Sequence, residues 1–141
     1  MGVSSAELDP IAATPVQTVL VVDDDVLIRM AIAGYLRECG FTVVEAGDAG
    51  EAVTVLEAAD DIDIVFSDVQ MPGAMDGFGL ARWIRAHKPQ VQVILASGVA
   101  RAADAAADIC EESFMQKPYH PQHVADRIRA LIGARAMRRG G

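Results

Sequence analysis

Four apolar runs in this 141-residue sequence end on groups that could do chemistry. "TVLVVDDD" closes on Asp23, Asp24 and Asp25, "DIVFSD" on Asp68, "VQVILAS" on Ser97, and "SFMQK" on Lys117, which Pro118 follows. Carboxylates gathered in one cleft repel one another, and a hard divalent cation relieves that repulsion. Mg²⁺ suits best, because it takes oxygen ligands, keeps several waters and is held by one or two carboxylates plus phosphate oxygens. Lys117 would add a point charge and Ser97 a hydroxyl donor. Together they offer what a transferring phosphoryl group needs, which is neutralised charge on its oxygens and a positioned nucleophile. A carboxylate can be that nucleophile. Asp68 is the candidate, since it follows a buried run and precedes a loop whose backbone N–H groups can face a ligand.

The elements that must position these groups alternate between short apolar strands and amphipathic helices. "TVLVVD" has the continuous apolar character of a strand buried on both faces of a parallel sheet. A helix from Val26 to Cys39 follows, with Ile28, Ile32, Tyr35 and Leu36 on one stripe and Gly40 placed to end it. "FTVVEA" is a second strand, ending blandly at Glu45-Ala46-Gly47. Asp48 and Glu51 form a capping-box-like start to a helix whose inner face carries Ala52, Val55, Leu56 and Ala59. "DIVFSD" is the third strand. Asp76 can N-cap the next helix, which buries Leu80, Trp83 and Ile84 and stops at Pro89. "VQVILAS" is the fourth strand, an Ala-rich stretch from Val99 to Cys110 a further helix, and "SFMQ" the fifth strand. A last helix carries Pro121 in its first turn and buries Val124, Ile128, Leu131 and Ile132. Right-handed crossovers build such a βα repeat into a doubly wound α/β fold, a parallel sheet covered on both faces. Ligands of such sheets sit beyond the carboxyl ends of the strands, where the four polar endings converge.

Composition narrows the function classes. Apolar residues make up 52% of the chain and charged residues 23%, a globular balance. The net charge of −8 gives no general attraction to nucleic acid or anionic membrane. Residues 1–17, with Pro10 and Pro15, are expected to be an N-terminal extension without a signal peptide or membrane span. The domain proper is expected over 18–133, with 134–141 a solvated basic tail containing Arg135, Arg138 and Arg139. Cys39 and Cys110 lack the spacing of a disulfide framework or a zinc site and are read as buried free thiols. The location expected is cytoplasmic. His87, His120 and His123 lack a third ligand at useful spacing and are read as surface residues.

The motifs "VLVVDDD", "DIVFSDVQMPGAMDG", "VILASG" and "FMQKPY", in this order, resemble a response regulator receiver domain, the two-component signalling module. The resemblance covers about Thr18 to Gly133. It implies a single flavodoxin-like (βα)5 domain with strand order 2-1-3-4-5. It further implies that Asp68 accepts a phosphoryl group from a phosphohistidine on a sensor histidine kinase or a histidine phosphotransfer protein. Asp24 and Asp68 would be direct Mg²⁺ ligands, Asp23 would act through water, and the backbone carbonyl of Gln70 would complete the protein ligands. Lys117 would pair with the phosphoryl oxygens, with Pro118 as conformational support, and Ser97 and Phe114 would be the switch hydroxyl and switch aromatic. The sequence departs from the commonest pattern at Ser97, where threonine is more usual, at Ala74, one extra residue in the Met-Pro-Gly loop, and at Phe114, where tyrosine is frequent.

The activity so implied is self-phosphorylation and slow autodephosphorylation, a switch and not conventional enzyme turnover. The sequence reads as a stand-alone receiver whose output is contact with a downstream protein target. The face made by the Ala-rich stretch (Ala102, Ala103, Ala105, Ala106, Ala107), the fifth strand and the last helix is where such a contact, or a homodimer, is expected. Two alternatives stand beside this reading. One is a degenerate receiver that docks partners without phosphorylation. The other is a haloacid-dehalogenase-type phosphatase using Asp23, Asp25, Ser97 and Lys117, a scheme that needs neither Asp68 nor the Met-Pro-Gly loop and expects an acidic pair where Tyr119 and His120 stand.

Overall fold

The computed structural model describes residues 16–98 and 114–140, with no account of the side chains of 135–140. Five strands, β1 (Thr18–Val22), β2 (Thr42–Ala46), β3 (Ile64–Asp68), β4 (Gln92–Ser97) and β5 (Phe114–Gln116), form one parallel sheet in the order β2-β1-β3-β4-β5. Among the described residues the helices are α1 (Val26–Glu38), α2 (Ala49–Ala58), α3 (Gly77–His87) and α4 (Pro121–Gly140). The doubly wound sheet expected from the sequence is present. The expected Ala-rich helix over Val99–Cys110 lies outside the described residues, as does Cys110, while Cys39, expected to be buried, is half-buried against the core at the end of α1.

Strand alternation divides the core in two. Val19, Val21, Ile64, Phe66, Ile94 and Ala96 face α1 and α4, where Ile32, Leu36, Val124 and Ile128 meet them. Leu20, Val22 and Val65 face the other way and pack with Leu56 of α2 and Leu80 and Ile84 of α3. Every residue of β1 and β3 is buried, which explains why those runs are continuous in apolar character and not alternating.

The helix ends follow their local chemistry. Asp25 caps α1, its carboxylate accepting from the N–H groups of Leu27 at 3.0 Å and Ile28 at 3.1 Å. Gly40, at φ +99°, turns the chain out of α1 while its N–H and that of Phe41 return to the carbonyls of Arg37 and Leu36, a Schellman ending. Asp48 caps α2 through the Glu51 N–H, and Glu51 reaches back to the Gly47 N–H. Asp76 caps α3 through the Gly79 N–H.

Three details differ from expectation. Ile28 is 40% exposed, because the first turns of α1 stand clear of the sheet and only from Ile32 onward does the stripe meet the core. Trp83 and Ile132 are half-buried at the rims of their clusters, and Trp83 stacks on His87 at 4.5 Å between ring centroids. Residues 134–140, read as a tail, continue α4, since good helix formers fill the stretch until Gly140.

Candidate acidic phosphoryl site

The strand register assembles the site. Val19 and Val21 on β1 and Ile64 and Phe66 on β3 point to the α1 side, and the same alternation carries Asp23 and Asp68 to that side at the strand ends. Oxygens of Asp23, Asp24 and Asp68 lie within 4.8 Å of one another. Asp23 is 3% exposed, Asp68 8%, and Asp24 is open to solvent. Lys117, just past β5, places its Nζ 2.9 Å from Asp68 Oδ1. Pairing of β4 with β5 brings it there, and its own N–H donates to the Ser97 carbonyl at 2.9 Å.

Each group is held by its backbone. Asp23 donates its N–H to the Ala46 carbonyl at 3.2 Å, and its Oδ1 accepts the Asp25 N–H at 2.9 Å. The carbonyl of Asp68 accepts the buried Ser67 hydroxyl at 2.9 Å. Gly77, at the start of α3, is pressed against that carbonyl: a Cβ there would meet it and would stand 2.7 Å from the Val69 Cα. The Gly77 N–H donates to the Val69 carbonyl at 2.8 Å, locking the return of the loop. Gly73, at φ +104°, sets the turn inside that loop, beside the additional Ala74.

Burial holds the Asp23 carboxyl above the usual carboxylate range, opposed by the Asp25 N–H and reinforced by the charge of Asp68. Tyr119, edge-on to Phe66 at 5.6 Å, has its hydroxyl pushed well up by burial and by the charges of Asp23 and Asp68. A pocket that concentrates negative charge in this way, from hard oxygen donors with one member open to water, fits a divalent cation that keeps part of its hydration shell.

The remaining predicted residues fall around this centre. Ser97 is fully buried, one residue beyond Ala96, which pairs with Asp68 across β3 and β4. Gln70 is exposed on the loop after β3. Phe114 is half-buried against Val69, Ala81 and Leu95, and its carbonyl accepts from Arg127 at 3.0 Å. Pro118, whose bond to Lys117 is cis, lines a largely apolar cleft of about 570 Å³ with Ile28, Ala31, Ile32, Tyr119 and Pro121. His120 and His123 stand 6.1 Å apart between ring centroids, and neither belongs to the acids' cluster.

Sequence reasoning missed Gly77 and also the pair Glu45 and Arg29. Glu45, on the strand read as ending blandly, holds Arg29 Nε at 3.1 Å, and Arg29 Nη1 donates to the Asp23 carbonyl at 2.9 Å. An arginine one turn into the helix after the acids was the available signal.

A family profile, "Response regulator receiver domain", matches residues 19–129. The chain belongs to the response regulator receiver family. Among curated proteins it is 36% identical over 119 residues to "Sensor kinase CckA" of Brucella abortus (strain 2308), covering 82% of this chain and 12% of that protein. It is 30% identical over 116 residues to "Probable transcriptional regulator ycf27" of Cyanophora paradoxa, covering 81% of this chain and 47% of the relative. The chain thus spans less than half the length of these relatives. A solved response regulator receiver domain protein from Clostridium thermocellum superposes with a TM-score of 0.78 at 26% identity, covering 86% of this chain and 98% of the other. The receiver family is a family of signalling switches in two-component systems, with phosphorylation and Mg²⁺ at an acidic pocket as general features. Among the described residues, no helix is long and apolar enough to cross a membrane.

Proposed function

We propose that this receiver is phosphorylated on Asp68 by a phosphohistidine of a sensor histidine kinase or a histidine phosphotransfer protein. The observation that carries the reading is the 2.9 Å pairing of Lys117 with Asp68 inside a cluster of three carboxylates. A purely structural acid has no need of two further acids beside it. In the transfer, an Asp68 carboxylate oxygen attacks phosphorus, the new O–P bond forms as the donor's N–P bond breaks, and the imidazole leaves with the electron pair. Lys117 then exchanges its carboxylate partner for phosphoryl oxygens, and the Ser97 hydroxyl donates to another. Asp24, Asp68 and the Gln70 carbonyl, with Asp23 acting through water, would hold Mg²⁺, which would supply charge neutralisation on the phosphoryl oxygens.

A protein donor suits the surroundings. Val26, Leu27, Ile28 and Met30 are exposed on the first turns of α1, directly after the acids, Leu27 to 78%. With the neighbouring apolar cleft they give a partner something to bury close to Asp68. Phe114 and Ser97 would report phosphorylation to the face around β5 and α4, where a downstream protein or a second copy of this chain binds. Pro118 supports the lysine's loop. The reaction belongs on the cytoplasmic side, where the phosphodonor is made.

Intact mass after incubation with acetyl phosphate, with and without Mg²⁺, tests the proposal on the natural chain and on Asp68→Asn. The expected result is a metal-dependent gain of one phosphoryl group that the variant loses. No gain, while a known receiver labels alongside, would replace the proposal with a phosphorylation-independent docking module.

A further inference from the structure

We infer that Arg29 is a positioning residue for divalent-cation binding, acting through the peptide that joins Asp23 to Asp24. The inference rests on the receiver reading of the acidic pocket. Asp23 has its N–H, its carbonyl and one carboxylate oxygen all engaged, the N–H by Ala46, the carboxylate by the Asp25 N–H and the carbonyl by Arg29 Nη1 at 2.9 Å. That carbonyl belongs to the peptide whose other end is the Asp24 N–H. Its direction therefore sets where the exposed Asp24 begins.

Arg29 is itself held. Its side chain is only 17% exposed, and its Nε donates to Glu45 Oε1 at 3.1 Å. Glu45 Oε2 is taken by Arg37 Nη1 at 3.3 Å, and Arg37 Nη2 donates to the Val43 carbonyl at 2.9 Å. A chain of contacts thus runs from the edge strand β2 across α1 to the acids. The guanidinium fork is rigid and always charged, so it can bridge a carboxylate and a carbonyl at fixed spacing. Mg²⁺ demands near-ideal octahedral geometry, so a peptide free to rotate between two of its acids costs affinity. Groups that orient a metal's ligands without touching the metal are worth about 10–100-fold in affinity when removed.

Electrostatics alone predicts the opposite sign. Removing a cation beside the pocket would tighten binding of a divalent cation, whereas losing a positioning contact weakens it. Calorimetric titration of Mg²⁺ into the natural chain, Arg29→Ala, Arg29→Lys and Arg37→Ala separates the two, with thermal unfolding in EDTA recorded for each. Expected is a loss of about tenfold in Mg²⁺ affinity for Arg29→Ala. Arg29→Lys should fall between, since an ammonium keeps the charge without the fork. Arg37→Ala, which loosens Glu45 but leaves Arg29 on the Asp23 carbonyl, should lose clearly less affinity than Arg29→Ala. Unchanged or tighter binding by Arg29→Ala overturns the inference, as does an equal loss in Arg37→Ala. Should Arg29→Ala fail to fold, Arg29→Lys carries the test, and natural-like affinity in it overturns the inference. Absence of Mg²⁺ binding by the natural chain would sink the metal site itself, a distinct result.

Discussion

Asp23 is buried beside two like charges, and water is what its ionised form loses on folding. Burial holds its carboxyl above the usual range, with Asp68 and Asp24 adding to the effect and the Asp25 N–H and Lys117 opposing it. The folded state therefore binds this proton more tightly than the unfolded chain does. Its contribution to stability is full below the ordinary carboxylate value and is lost as pH rises through the raised one. Asp23→Asn keeps an oxygen for the Asp25 N–H and removes the charge. In EDTA, the variant should gain on the natural chain as pH rises from 4 to 7, ending with a Tm higher by roughly a few degrees. Parallel melting curves across that range would show that Asp23 is not under strain. With Mg²⁺ present the advantage should shrink or reverse, because the cation rewards the charge that the variant lacks.

At the scale of elements, the strand endings were legible and the cross-helix contacts were not. Asp23, Asp24, Asp68, Ser97 and Lys117 stand at the carboxyl ends of their runs, and the parallel sheet has one such edge. The cap at Asp25 was legible for the same local reason, since its oxygens reach only two or three residues on. Replacing it with Ala should cost about 1 kcal/mol in chemical denaturation; a cost near zero would mean that α1 starts elsewhere. The tie between Arg29 and Glu45 spans 16 residues and ends on a backbone carbonyl, a partner that no residue pattern displays. Gly77 was hidden likewise, since its role is the space it leaves at Asp68 and not its spacing. Gly77→Ala should destabilise by about 1–3 kcal/mol, as overpacking does. It should also slow labelling by acetyl phosphate, as α3 moves off the Asp68 carbonyl. Labelling and melting equal to those of the natural chain would mean that the loop yields freely.

For the whole molecule, binding of a divalent cation would be linked to folding. A ligand that binds only the folded state stabilises it by about 2.7 kcal/mol at a hundredfold excess over Kd. Mg²⁺ should raise Tm in a concentration-dependent way in the natural chain and much less in a variant carrying both Asp23→Asn and Asp24→Asn. Equal shifts in both proteins would place the cation elsewhere on this chain of net charge −8. The pairing of Lys117 with Asp68 also has a consequence in charge arithmetic. Counted by formal charge, three carboxylates and one ammonium give the pocket two negative charges, which a single divalent cation would cancel. A metal-loaded pocket would be formally neutral and would not repel an incoming phosphoryl anion, whereas the bare pocket would. Raising ionic strength screens that repulsion. Added monovalent salt should therefore speed what labelling persists at limiting Mg²⁺ and have little effect at saturation, so that salt and metal act as partial substitutes in admitting the donor.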